Sequence, residues 1–241
     1  MVPLSASRAA LLIVAAGEGS RLAAGRRKAL VPLGGRPLLE HSLRRLLALP
    51  ELAPVVVVGH RDDRAALEDL AASLPRRPRI VDGGARRQDS VLAGLRALRD
   101  DAGAPELVLV HDAARPFVPA GAIPELIVRA QQSGAAILAL PVVDTIKEAR
   151  ADRPDSAGRT LERERLWAAQ TPQAFRRAEL LALLEQADAE RRTVTDEAAL
   201  YEAAGRAVAF VTGSRLNFKL TTPADLALAE ALLAAGPERI P

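Results

Sequence analysis

The spacing of apolar residues along the chain alternates between two periods. Leu11-Leu12-Ile13-Val14 is a short unbroken apolar run flanked by small residues. That pattern predicts a strand buried on both faces of a parallel sheet. Runs of the same kind recur at residues 55–59, 79–82, 107–111 and 135–141. Between them the period lengthens to that of amphipathic helices, predicted from Pro37 to 49, from Asp62 or Asp63 (as cap) to about 73, over 88–99 and over 123–132. Strands alternating with helices imply a parallel sheet with right-handed crossovers, whose ligands lie outside the carboxyl ends of the strands. The loops at 15–28, 83–90 and 112–116 are therefore expected to meet in one cleft.

From 142 to about 169 this rhythm breaks into a charged stretch with Pro154, Gly158 and little apolar surface of its own. It is too long for an ordinary connection, so an excursion is expected there: a β-arm, a lid or a dimer element. Two helices are predicted near 176–188 and 195–204, the second with Thr195-Asp196-Glu197 as cap and acidic first turn. An edge strand at 207–211 and a last helix opening on Thr222-Pro223 complete the expected elements, in a single domain spanning 1–241.

Candidate chemistry begins where the first strand ends. Ala15-Ala16-Gly17-Glu18-Gly19 is nearly free of side chains, so its backbone N–H groups can approach a phosphate chain, with Arg21 and Lys28 beside it. A tight turn with solvated cations is the plainer reading. Leu22 stands where a Rossmann fingerprint needs a third Gly or Ala, and no Gly-Lys-Ser/Thr ending follows, which argues against a dehydrogenase and an ordinary ATPase. At the end of another predicted strand, Asp112 suits a Mg²⁺–phosphate network or a ribose hydroxyl. Arg115 could clamp a phosphate or simply pair with Asp112. In the glycine turn 83–90, Ser90 could read a base edge or merely cap a helix.

Composition narrows the partners. The chain has 241 residues, a net charge of +3, and only four Phe, one Trp and one Tyr, a poor endowment for stacking on nucleic acid. The absence of cysteine excludes disulfides and thiolate metal sites but is neutral about compartment; with no 18-residue apolar run and no signal-like N-terminus, a cytoplasmic protein acting on acidic small molecules is expected. Among 33 basic residues only Lys28, Lys147 and Lys219 are lysines, which suggests positions where a compact ammonium is needed. No nucleophile–base set is evident. None is required if the attacking group is itself a phosphate, because the task is then to align polyanions and neutralise charge.

These motifs together resemble the 2-C-methyl-D-erythritol 4-phosphate cytidylyltransferase family. The residues that carry the resemblance are Ala15-Ala16-Gly17 with Gly19, Arg21 and Lys28; Asp82-Gly83-Gly84 with Ser90; and Val110-His111-Asp112-Ala113-Ala114-Arg115-Pro116. So do Asp144-Thr145 with Lys147, Thr171-Pro172-Gln173, Thr195-Asp196-Glu197, and Asn217 with Lys219 and Thr221. The resemblance implies a Rossmann-like α/β fold of the nucleotidyltransferase (GT-A-like) type, with a mostly parallel sheet and a protruding β-arm, 142–169, used in dimerisation. It implies attack of methylerythritol phosphate on CTP with Mg²⁺, in the non-mevalonate route to isoprenoids. Arg21 and Lys28 would stabilise the transition state, and Arg163 and Lys219 would position the sugar phosphate. Ala15, Ala16, Gly17, Gly19, Gly83, Gly84, Ala85, Ser90 and Ala113 would hold the nucleotide. Asp112, Arg115, Thr145 and Thr195 would join Arg163 and Lys219 on the sugar phosphate, with Asp112 also a candidate metal ligand. The arm would bring Thr145 and Arg163 to the partner's site in a homodimer, with no nucleic-acid or membrane partner. Two departures from the family pattern are Arg27 and Ala29 around Lys28, where relatives usually have Pro and Gln, and Ala85, where some relatives carry an acid. Ribitol 5-phosphate cytidylyltransferase shares much of the motif set. A sugar 1-phosphate nucleotidyltransferase or a nucleotide-sensing protein on this fold is a more distant alternative.

Overall fold

The computed structural model describes residues 8–17, 27–99, 101 and 103–236. Its elements run β1 (Ala9–Val14), β2 (Pro32–Leu33), β3 (Arg36–Pro37), α1 (Leu38–Leu47), β4 (Leu52–Gly59), α2 (Arg64–Ala72), β5 (Arg79–Asp82), α3 (Arg87–Arg99) and β6 (Leu107–Asp112). They continue with α4 (Ile123–Ser133), β7 (Ala135–Pro141), β8 (Lys147–Ala149), β9 (Ala157–Thr160), β10 (Trp167–Arg176), α5 (Arg177–Ala189), α6 (Ala198–Ala203), β11 (Ala209–Thr212) and α7 (Pro223–Ala234).

Seven strands form one sheet in the order β11-β7-β10-β6-β1-β4-β5. The expected mostly parallel sheet is present, with β10 alone antiparallel to both of its neighbours. Alternate residues of β1 explain why its sequence is apolar throughout. Leu11 and Ile13 pack into a core with α1, α2 and α4, whereas Ala10 and Leu12 pack on the other face with α3, α5 and α6. A smaller cluster around Leu33, Phe117, Leu220 and Ala229 joins α7 to the β2–β3 hairpin. Thr222 caps α7 as predicted, in a reciprocal pair with Asp225.

Three expectations need correction. No strand was expected at 170–176, where Thr171-Pro172 lies mid-run and the proline lacks the N–H that a central strand donates. The sheet accommodates it through a register shift in the β10–β7 pairing between Ala169 and Gln173. The excursion is accordingly shorter than 142–169, since Trp167–Ala169 already pair with β7. It is a small antiparallel hairpin, β8–β9, and no residue from 141 to 169 is buried. Finally, neither Asp62 nor Asp63 caps α2 with its side chain. Both carboxylates bind Arg27, at 2.7 and 3.0 Å, and the Asp62 N–H donates to the His60 ring instead. Arg27, one of the departures beside Lys28, thus ties the start of the Lys28 turn to the loop after β4.

Gly94 on α3 faces the sheet, where a Cβ would collide with the Leu12 side chain and stand 2.9 Å from Val58 Cγ2. Gly94→Val should therefore destabilise the fold by about 1–3 kcal/mol through overpacking of a fully buried layer. A lowered urea midpoint at unchanged slope would register it.

Candidate active site

Parallel strands deliver their carboxyl ends to one edge of the sheet, and the ladder continues into the loops there. The Ala15 N–H donates to the Val58 carbonyl (2.8 Å), that of Ala113 to Val14 (3.0 Å), and that of Gly83 to Gly59 (2.7 Å). At Gly83 a side chain is excluded: a Cβ would lie 2.6 Å from the Ala16 Cβ and 2.7 Å from Ser90 Oγ. This close approach lets the turns after β1 and β5 pack against each other without side chains between them.

The edge encloses a cavity of about 250 Å³. Ala15, Ala16 and Gly17 form one wall, Gly84, Ala85 and Ser90 another, and Asp112 and Ala113 a third, with Lys28 and Lys219 entering from the sides. Ten of the predicted site residues thus meet, and two of the chain's three lysines are among them; the third, Lys147, bonds Thr160 within the hairpin (2.6 Å). Gly83 lies just behind the wall. Ser90 is buried, and its hydroxyl accepts from the Gly84 N–H (3.2 Å) and donates to the Arg86 carbonyl (3.3 Å). Thr145 and Arg163 belong to the exposed excursion, where Arg163 donates to the Val143 carbonyl (3.1 Å). Thr195 is exposed on the segment before α6 and does not line the cavity. Gly19 and Arg21 lie outside the described residues.

Asp112 anchors the charges. Its Oδ1 accepts from Arg87 Nε at 2.9 Å and its Oδ2 from Lys219 Nζ at 2.8 Å, while Arg87 Nη1 donates to both oxygens of Glu197 at 2.7 and 2.9 Å. Burial disfavours the Asp112 carboxylate, yet the charges of Arg87 and Lys219 outweigh it and hold the carboxyl well below its usual range. For Arg87, burial is likewise overcome by Glu197 and Asp112, which keep it protonated. Burial pushes the carboxyl of the fully enclosed Glu197 upward against the pull of Arg87.

Beneath this set lies a neutral lock. The Asp112 N–H donates to Thr171 Oγ1 (3.0 Å), which lies 3.1 Å from His111 Nδ1, and His111 Nε2 lies 3.1 Å from the Arg115 carbonyl. A carbonyl can only accept, so Nε2 carries the proton and Nδ1 accepts from the threonine hydroxyl. Burial pushes the His111 pKa down to about 4. The chain's one asparagine, Asn217, donates from Nδ2 to Gln170 Oε1 (3.1 Å) and the Thr171 carbonyl (2.9 Å), fixing the approach of Lys219. Arg115, expected as a phosphate clamp or a partner of Asp112, is not that partner, since the Asp112 salt bridges go to Arg87 and Lys219. Its guanidinium donates to the Asn217 carbonyl (2.6 Å) and, at 3.4 Å, to that of Ala169, buttressing the same segment.

Arg87 and Glu197 were given no role by the sequence reading. One signal was available: Arg86-Arg87 opens a helix, where positive charge opposes the macrodipole and needs a carboxylate partner. Arg86 finds its partners in Asp89 and Asp188 (both 2.9 Å), outside the charge set, whereas Arg87 turns inward. Glu197 carried no such signal, since it reads as an ordinary first-turn acid. The capping carboxylate is in fact Asp196, whose Oδ1 accepts the Ala199 N–H at 3.1 Å.

Residues 9–235 match the profile of the IspD family, 2-C-methyl-D-erythritol 4-phosphate cytidylyltransferase. The chain belongs to this family. A cytidylyltransferase of that name from Halalkalibacterium halodurans is 43% identical over 226 residues, covering 93% of this chain and 96% of the relative. Among solved structures, 4-diphosphocytidyl-2C-methyl-D-erythritol synthase from Anaerococcus prevotii superposes with a TM-score of 0.84 at 31% identity, covering 95% and 96% of the two chains. The 2-C-methyl-D-erythritol 4-phosphate cytidylyltransferase of Thermus thermophilus gives 0.74 at 37% identity, covering 94% and 99%. In this family member no group of three His, Asp or Glu side chains fit to hold a metal occurs among the described residues. Asp112 is the one carboxylate on the described cavity wall.

His111 makes stability depend on pH in a defined window. Its neutral ring is favoured by the fold, whereas the unfolded ring takes up a proton below about 6.5. Its contribution is complete above that pH and is lost as pH falls towards 4, amounting to about 3 kcal/mol at most. In urea titrations without nucleotide or Mg²⁺, His111→Asn should lose less stability than wild type between pH 7 and 4.5. Parallel losses would contradict the neutral lock.

Proposed function

We propose that this chain transfers the cytidylyl group of CTP to 2-C-methyl-D-erythritol 4-phosphate, giving 4-diphosphocytidyl-2-C-methyl-D-erythritol and pyrophosphate for isoprenoid precursor synthesis. The observation that carries the reading is the cavity itself. Backbone-lined turns suited to a nucleotide meet Lys28 and Lys219 at one strand edge, in a chain matching this family from residue 9 to 235. A sugar-phosphate oxygen attacks the α-phosphorus, the bridging bond to the β-phosphate breaks, and pyrophosphate leaves with that electron pair. The attacking oxygen is already anionic, so no protein base is needed. Arg21 and Lys28 lower the cost of charge on the pentacoordinate phosphorus, and Lys219 with Arg163 aims the nucleophile.

Mg²⁺ suits this donor set as a cation held chiefly by the triphosphate and water, with Asp112 able to add one oxygen from lone pairs left beside its Arg87 and Lys219 bonds. When bound, it would neutralise phosphate charge. Ala15–Gly17, Gly83–Ala85, Ser90 and Ala113 would face the nucleotide. Asp112, Thr195 and the partner-supplied Thr145 and Arg163 would face the sugar phosphate, and Arg115 would serve through the Asn217 segment it buttresses. The homodimer reading is supported by the unburied hairpin and by three exposed apolar side chains, Val143, Trp167 and Phe210, the last two stacked with ring centroids 4.9 Å apart. We assign the whole chain to one domain bearing this arm. We assign it to the cytoplasm; among the described residues no helix is long and apolar enough to cross a membrane.

Pyrophosphate release with CTP and Mg²⁺ should be strong with methylerythritol phosphate and weak with ribitol 5-phosphate; the reverse order would move the enzyme to polyol phosphates. The shared site has its own check. A mixed dimer of Lys28→Ala and Arg163→Ala subunits should regain activity that neither variant shows alone, because one of its two sites would then hold both native residues. No recovery would place Arg163 at its own subunit's site.

A further inference from the structure

Glu197 is fully buried, so it cannot touch a substrate, yet it grips the inward face of the site's charge set. Read outward, the charges alternate as Glu197, Arg87, Asp112, Lys219, with every link between 2.7 and 2.9 Å. Lys219 ends the series with 41% of its side chain exposed, at the cavity. Stability alone is a poor reason for such an arrangement, because a buried ion pair is commonly no better for the fold than apolar residues of similar volume. Helix formation is no better a reason, since Arg87 opens α3 against the macrodipole. The neighbouring Gln88 ties the same two parts of the chain: it accepts the Val194 N–H (3.1 Å) and donates to the Arg192 carbonyl (3.0 Å), on either side of Thr193.

We propose that Arg87, clamped by Glu197, is a positioning residue for the sugar phosphate: it occupies one oxygen of Asp112 so that the other aims Lys219 into the cavity. Without Arg87 both Asp112 oxygens are open to Lys219, and the ammonium is drawn down onto the carboxylate and away from the attacking phosphate. This rests on the cytidylyltransferase reading above, which gives Lys219 that duty.

The test is steady-state kinetics and thermal unfolding of Arg87→Met, Glu197→Gln and the double variant. Each single change should raise the methylerythritol phosphate KM, or lower kcat, by roughly 10- to 100-fold, as loss of an orienting outer partner does elsewhere, with the CTP KM within about threefold of wild type. Arg87→Met alone leaves Glu197 buried and unpaired, so its melting temperature should drop. The double variant removes that charge and should recover thermal stability without recovering the sugar-phosphate KM. Recovery of both would reduce the pair to a structural role, and a CTP KM rising in step would make Arg87 a nucleotide contact. Either result overturns the proposal, as do single variants that behave as wild type. A wild-type enzyme silent with methylerythritol phosphate would overturn the functional reading and this inference with it. Normal wild-type turnover beside unmoved variants would sink this inference alone.

Discussion

The geometry of the site depends on a carboxylate that has no business being charged where it stands. Asp112 ends β6, the central strand of the sheet, and is nearly enclosed by protein. An ionised group in that position is tolerated only when its oxygens are saturated by cations and donors. The fold meets that demand from sequence positions far apart: Arg87 from the start of α3 and Lys219 from the segment before α7, with Glu197 behind Arg87. The result is a zero-sum cluster of two acids and two bases. It carries no net charge of its own, yet keeps one ammonium at the surface of a cavity fit for polyanions.

Around that cluster the scaffold is mostly uncharged. His111 is held neutral and hydrogen-bonded at both ring nitrogens, so it fixes the end of β6 without adding to the electrostatics. Asn217, Gln170 and Thr171 lock the Lys219 segment to β10 through amide and carbonyl contacts, with the Arg115 guanidinium bridging the same two parts of the chain. The positive field is thereby left to the side chains that enter the cavity, over walls of Ala and Gly that carry almost no side chain.

Much of this was legible in the sequence, because burial on two faces writes a strand as a continuous apolar run and burial on one face writes a helix at its own period. β1, β4, β5, β6 and β7 and the helices packed on them follow those patterns closely. The convergence of the loops after β1, β5 and β6 then follows from parallel topology. What escaped was whatever tertiary context overrode a local signal. Thr171-Pro172 disguised a central strand, since the register shift that excuses the proline exists only in the assembled sheet. Asp62 and Asp63 looked like helix caps but answer to Arg27, 35 and 36 residues earlier. Glu197 looked like a first-turn acid but answers to Arg87, 110 residues away. Arg115 was read as a phosphate clamp or a partner of Asp112 three residues away, but its hydrogen-bond partners are carbonyls of distant chain, at Asn217 and Ala169.

The reversed strand carries a further implication, for how such a chain can diversify. β10 leaves the exposed hairpin and, within three residues of Ala169, supplies Gln170 and Thr171 to the lock around Asp112 and Asn217. The hairpin's tip, between Ala149 and Ala157, touches none of the three cores, so residues can be gained or lost there at little thermodynamic cost. Its root has no such latitude: a one-residue slip in β10 would turn every side chain of the strand to the opposite face and remove Thr171 from His111. Length variation in descendants of this sequence is thus channelled into the distal turn, and the strand that returns from it acts as a fixed ruler.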